Sequence, residues 1–179
     1  MRIVAGRFGG RRLRAPAGRA TRPTSDRVRE ALFGTLGPLD GAAVLDLFAG
    51  SGALGLEALS RGAARADLVE RDARAAAVAR ANAEALGLSA DEVRVLQMPA
   101  LRALRDARRR GATYDLVLLD PPYRDASRLG AELSEPLAAV LAPGARVVTE
   151  SDRRAPLELT LPVVHERRYG DTLIRIHTA

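Results

Sequence analysis

Two stretches carry residues whose types and spacing suit chemistry on a bound ligand. The first runs from Val44 through Leu45, Asp46, Leu47, Phe48 and Ala49 to Gly50, Ser51, Gly52 and Gly55, an apolar run that ends in an acid and a glycine-rich turn. Glycines belong where the backbone takes a positive φ or lets a ligand approach, and a helix starting there offers unpaired N–H groups. The second, Tyr114 to Tyr123, ends in Asp120-Pro121-Pro122-Tyr123. Asp120 supplies a carboxylate acceptor and Pro121 a carbonyl, while the paired prolines stiffen the corner. Tyr123 offers a face on which an unpaired base can stack. Such a corner can hold an exocyclic amine by its N–H groups and present the nitrogen in line with an electrophilic carbon.

Gly50-x-Gly52-x-x-Gly55 also matches the dinucleotide fingerprint, and Glu70 lies about 20 residues beyond, where it would take ribose hydroxyls. Two features argue against a nicotinamide cofactor. Asp46 would sit poorly beside a pyrophosphate but well beside a cationic or amino-bearing ligand. Hydride transfer also has no use for the Asp-Pro-Pro-Tyr corner.

These residues need a scaffold, and the periodicity supplies one. Val28, Ala31, Leu32 and Leu36 fall at helical spacing behind cap residues Thr24, Ser25 and Asp26, predicting a helix from Asp26 to Leu36. From Ala43 strand and helix alternate: Arg65 to Glu70, a helix from Asp72 to Leu86, Val93 to Gln97, a helix opening at Pro99, and Tyr114 to Leu119. Leu129, Leu133, Leu137, Val140 and Leu141 form a helical stripe that Pro136 is expected to interrupt, and Pro143-Gly144 turns into a strand from Arg146 to Thr149. A hairpin around Gly170-Asp171 closes the chain. The pattern implies an α/β fold, a mostly parallel sheet with helices on both faces. Ligands bind such sheets beyond the strands' carboxyl ends, so Asp46 to Gly52, Glu70 and Asp120 to Tyr123 should share one crevice.

The 179 residues suit one domain with a small appendage. No apolar run reaches membrane-spanning length, and the basic start lacks the apolar stretch of a signal peptide, so a cytoplasmic protein with no membrane partner is expected. With no cysteine and two histidines, His165 and His177, metal chemistry is not expected. All 28 basic residues are arginine. Residues 1–25 hold seven of them and no acid, so they carry +7 of a net +6, and the remainder sums to −1. That asymmetry is the footprint of a polyanion-binding arm on a nearly neutral body. Ile3 to Ala5 and Arg11 to Leu13 flank Gly6-Arg7-Phe8-Gly9-Gly10, a short hairpin with a flexible tip. Arg2, Arg7, Arg11, Arg12 and Arg14 could neutralise phosphates and Phe8 could stack on a base.

The stretch from Asp46 to Ala63, with Asp120-Pro121-Pro122-Tyr123, resembles class I S-adenosylmethionine-dependent methyltransferases acting on exocyclic amines. Arg22-Pro-Thr-Ser-Asp-Arg-Val-Arg-Glu-Ala-Leu-Phe33, the Gly-Gly hairpin before it, and Tyr169-Gly170-Asp171-Thr172 narrow the resemblance to the RsmD family of 16S ribosomal RNA guanine-N2 methyltransferases. The likeness covers essentially the whole chain. It implies a Rossmann-like seven-stranded sheet ordered 3-2-1-4-5-7-6, with residues 1–22 as an RNA-binding extension and 23–179 as the methyltransferase domain. It implies S-adenosylmethionine as donor, S-adenosylhomocysteine as product, and a guanine of 16S ribosomal RNA in the 30S subunit as substrate; a monomer fits the chain's size, though no residue argues for it. Asp46, Phe48, Gly50 and Gly52 would surround the donor, Glu70 would hold its ribose, and Thr24 and Ser25 would close over its methionine end. Met98 would pack on the adenine, in a stretch, Gln97 to Ala100, that lacks the Asp or Asn common there. Asp120 and Pro121 would hold the guanine amino group, with Tyr123 against the ring. The same corner would also suit an enzyme acting on DNA adenine or a protein glutamine. Less favoured classes are a non-catalytic RNA-binding module and a nicotinamide-dependent oxidoreductase.

Overall fold

The computed structural model describes residues 1–16, 25–122 and 126–179, so Thr24 and Tyr123 lie outside the described residues. Helix α1 (Asp26–Leu36) comes first, its opening N–H groups capped by Ser25, whose hydroxyl accepts from Val28 at 3.3 Å. Then follow β1 (Ala43–Asp46), α2 (Ala53–Ser60), β2 (Arg65–Val69), α3 (Ala73–Ala85), β3 (Val93–Leu96), α4 (Ala100–Arg109), β4 (Tyr114–Leu119), α5 (Ala126–Ala138) and β5 (Leu141–Asp152). The hairpin β6 (Val163–Tyr169) and β7 (Thr172–Thr178) ends the chain.

The seven strands form one sheet in the order β3-β2-β1-β4-β5-β7-β6, a Rossmann-like class I methyltransferase topology. β1 to β5 pair in parallel, and β7 enters antiparallel between β5 and β6. Alternation along the strands sends side chains to two cores. Val44, Leu116, Leu118, Val148, Ile174 and Ile176 pack with α1, α2 and α3 on one face. Leu45, Val117, Leu119 and Val147 pack with α4 and α5 on the other. Each fully buried Leu or Val contributes about 1.5–3 kcal/mol, so these two layers fix the strand ends on which the site is built.

Three expectations need correction. Pro136 does not interrupt α5, which runs on to Ala138. It sits within the last turn, where little helix remains to be broken. Strand β5 opens at Leu141 and contains Pro143-Gly144, because a register shift lets Tyr114 pair with Leu141 and Leu116 with Arg146. Leu141 is therefore a strand residue.

The amino-terminal hairpin forms as a loose ladder, with Ile3 N–H donating to Arg11 O and Gly10 N–H to Ile3 O, both at 2.9 Å. Its tip is pinned. Arg7 N–H donates to the Ser60 carbonyl at 2.8 Å and Phe8 N–H to the Ser60 hydroxyl at 3.0 Å. A Cβ on Gly6 would lie 1.8 Å from that carbonyl, an approach open only to glycine. Buried Glu57 accepts from Val4 N–H at 2.7 Å and Ala5 N–H at 3.1 Å, and Ile3 and Leu13 are buried in the first core.

Candidate active site

The strand order reverses between β1 and β4, and β1 has β2 on one side and β4 on the other, so the carboxyl edge of these strands is where such a sheet takes a ligand. The loop after β1 stays attached to both neighbours. Leu47 N–H donates to Leu118 O at 3.0 Å and Ala49 N–H to Val69 O at 2.9 Å. Gly50 and Gly52 then take φ values of 53° and 82° and turn the chain into α2, whose start has no side-chain cap. The third glycine, Gly55, permits close packing of helix on strand. A Cβ there would meet Leu68 at 2.2 Å, and its N–H donates to Asp46 Oδ2 at 3.1 Å.

Asp46 is thereby held at the end of β1, with its Oδ1 buried and lacking a hydrogen-bond partner. Burial pushes its carboxyl up to about 7, against the opposing pull of the Gly55 and Phe48 N–H groups, and Glu70 adds a smaller upward push. Glu70 follows β2, accepting from Gly50 N–H at 2.9 Å and Asp72 N–H at 2.8 Å, one on each carboxylate oxygen. Phe48 and Met98 are half-buried against the core of α4 and α5.

Asp120 follows β4. It keeps an edge toward solvent, but protein surrounds its carboxyl, and burial, Glu150 and Asp46 in that order raise it well above the ordinary carboxylate range. Pro121 is buried and Pro122 exposed. Sequence reasoning misses Glu150, a buried acid inside β5, which continues past it to Asp152. The signal is present, a third acid after an apolar strand core of Val147-Val148-Thr149, but the strand expected from Arg146 to Thr149 stops one residue short of it.

The structure thus gathers Asp46, Gly50, Gly52, Glu70 and Asp120 at one edge, with Ser25 capping the helix that precedes β1. The basic residues are placed differently. Arg2 pairs with Asp26 at 2.9 Å, Arg7 pairs with Glu92 and lies over the Phe8 ring, and Arg11 donates to Ala85 O at 2.7 Å. Phe8 packs on the core. The guanidinium groups of Arg12 and Arg14 are exposed and have no ion pair among the described residues. The Arg14 backbone is fixed by buried Asn82, whose Oδ1 accepts from Arg14 N–H at 2.8 Å. The amide nitrogen of Asn82 donates to Arg14 O at 3.0 Å and to Ser51 O in the glycine loop at 2.9 Å.

The residues fit S-adenosylmethionine. Asp46 Oδ1 is an orphaned buried acceptor of the kind an ammonium group satisfies, and space lies open above Gly50, where a Cβ would meet nothing within 4 Å. Glu70 is held by two N–H groups and keeps further lone pairs for vicinal hydroxyls.

Comparison with known proteins agrees. The family described as Conserved hypothetical protein 95 matches residues 1–178. The "Putative rRNA methyltransferase YlbH" of Bacillus subtilis is 38% identical over 181 residues, spanning 99% of this chain and 98% of the relative. The "Ribosomal RNA small subunit methyltransferase D" of Escherichia coli is 45% identical over 126 residues, 69% of this chain and 61% of that protein. A solved structure of a hypothetical protein from Thermus thermophilus superposes with a TM-score of 0.83 at 33% identity, covering 100% of this chain and 99% of its own. By the match along its whole length, the chain belongs to the Conserved hypothetical protein 95 family, the RsmD family that its motifs resemble.

Proposed function

We propose that this protein transfers the methyl group of S-adenosylmethionine to the exocyclic N2 of a guanine in 16S ribosomal RNA, in the cytoplasm, on the 30S subunit or its precursor. The observation that carries the reading is the juxtaposition of an orphaned acid beside the glycine loop with a buried acid in a rigid Asp-Pro-Pro corner on the adjacent strand. Family membership supports the substrate class.

The donor brings an electrophilic methyl group on a sulfonium. Asp46 would hold its ammonium and Glu70 its ribose hydroxyls, two contacts that would position the donor. Thr24 and Ser25 would contact the methionine end, and Phe48 and Met98 the adenine side. Asp120 and the Pro121 carbonyl accept hydrogen bonds from the target amino group, drawing its lone pair out of conjugation with the ring and toward the methyl. Tyr123 stacks on the base. Asp120 is raised by burial and by its acid neighbours, so it takes the amine's proton readily once the new bond forms. Exposed Arg12 and Arg14 serve the phosphates of the RNA.

The test is to incubate the protein with radiolabelled S-adenosylmethionine and unmodified 30S subunits, digest the RNA and identify the labelled nucleoside. Label in N2-methylguanosine is expected. Label in N6-methyladenosine would keep the mechanism and discard the substrate, and no label despite donor binding would overturn the reading. Asp120→Ala should abolish transfer while calorimetry with S-adenosylhomocysteine stays near wild type.

A further inference from the structure

The chain beyond the hairpin is nearly neutral in sum, but its charge is unevenly spread. α1 sets Asp26 and Glu30 against Arg27 and Arg29, and α3 sets Glu84 and its capping Asp72 against Arg74 and Arg80. α4 has no such balance. Arg102, Arg105, Arg108 and Arg109 lie on it and Arg110 closes it, all exposed, against the one acid Asp106. Asp106 is shared, paired with Arg109 and 4.0 Å from Arg102, while Arg105 and Arg108 have no ion pair among the described residues. Asp67, the buried acid on the same face of the sheet, is already taken by Arg94 at 2.7 Å and by the Tyr114 hydroxyl at 2.6 Å. The stability of α4 itself does not account for this arrangement. Arg108 and Arg109 suit the negative end of the helix dipole, but Arg102 lies in a first turn that has no acid and no side-chain cap, where positive charge is disfavoured. Arg105 has Arg102 three residues before it and Arg108 and Arg109 three and four after, spacings at which like charges repel.

We propose that the outer face of α4 is a second surface for the RNA backbone, separate from the amino-terminal hairpin. The inference rests on RNA being the substrate, as proposed above. Ala103, Leu104 and Ala107 turn inward, so the arginines form an outward stripe about 10 Å long, which a partner with a row of negative charges relieves of its self-repulsion. β3 ends at the same edge as β1 and β2, and α4 opens just beyond it. The stripe therefore starts at the edge that carries Asp46 and Asp120, and it runs back along the face of the sheet opposite to the one that holds the hairpin. RNA delivered to that edge is gripped from both sides, by Arg12 and Arg14 beside the glycine loop and by α4 across from them. Phosphate contacts fix register and orientation without reading sequence, so α4 orients the RNA and the choice of base stays with the Asp-Pro-Pro corner.

Binding of the whole protein to 30S subunits, measured across a range of salt concentrations, tests the surface. Arg105→Gln with Arg108→Gln should lower the log–log salt slope by about two, one per lost phosphate contact, and weaken binding by about tenfold or more at about 0.1 M salt. Arg105→Lys with Arg108→Lys keeps both charges and should keep most of the slope. Arg167→Gln with Arg168→Gln removes the same charge from exposed positions on β6, at the opposite edge of the sheet from β3, and should change binding little. Binding of S-adenosylhomocysteine near wild type verifies that each variant is folded. Wild-type affinity and slope in the Gln pair on α4, an equal loss in the β6 pair, or a Lys pair as weak as the Gln pair overturns the inference and leaves the proposed reaction standing. Wild-type protein that puts no methyl group on 30S RNA would instead overturn the reaction, and the inference with it.

Discussion

Asp46 is the residue through which pH should reach the donor. Without ligand, its carboxyl is raised from 3.8 to about 7, so the folded chain holds a proton that the unfolded chain has released anywhere between those values. Stability therefore falls as pH rises through that window and is level above it. Pairing with the donor's ammonium reverses the preference, since the ionised carboxylate binds best. Affinity for S-adenosylhomocysteine should rise about tenfold per pH unit up to about 7 and then flatten. Calorimetry across pH checks this, and Asp46→Asn should bind more weakly with that slope gone. Asp120, raised by burial and by Glu150 and Asp46, should shift the acidic limb of the kcat profile above the range of an ordinary carboxylate. The acids at the ends of β1, β2 and β4 are legible in the sequence because each follows an apolar run. Glu150 is not, since the strand read from Arg146 to Thr149 stops short of it while β5 runs on to Asp152, and neither is the raised carboxyl of Asp46, which comes from burial by elements far apart in sequence.

Among the elements, α2 does two jobs. Its first turn carries the glycine loop, and its far end carries Glu57 and Ser60, which hold the amino-terminal hairpin. Glu57 also accepts from Arg61 at 2.7 Å, so its carboxylate is surrounded by donors in a fully buried position. Glu57→Ala would strand two backbone N–H groups and the Arg61 guanidinium, lowering stability by about 3 kcal/mol in denaturant titration. Glu57→Gln should cost less. The order and type of the elements from α1 to β7 can be read from periodicity, because a buried parallel strand and an amphipathic helix have different signatures. The docking of the hairpin cannot. It is made by backbone N–H groups that meet Glu57, Ser60 and Asn82, and backbone contacts leave no pattern in side-chain identity. The expectation of a flexible tip follows the Gly-rich composition, whereas Gly6 serves close approach to Ser60.

On the scale of the whole molecule, charge and burial divide the basic segment in two. Arg2 and Arg7 are paired with acids, while Arg12 and Arg14 stand in solvent. Replacing both Arg12 and Arg14 by Gln should leave stability within about 0.5 kcal/mol and flatten the salt dependence of RNA binding by about two units, one per lost phosphate contact. Deleting the first 13 residues should instead destabilise the fold, since Ile3 and Leu13 leave the core. The same packing sets an order of assembly. Val4 meets Glu57 across 53 residues and Arg14 meets Asn82 across 68, so the hairpin has nothing to dock on until α2 and α3 have formed. The segment at the chain's start is therefore among the last to reach its place, and closing so long a loop comes after the folding barrier rather than before it. In a chevron experiment Ile3→Val should quicken unfolding and leave the refolding limb where it was.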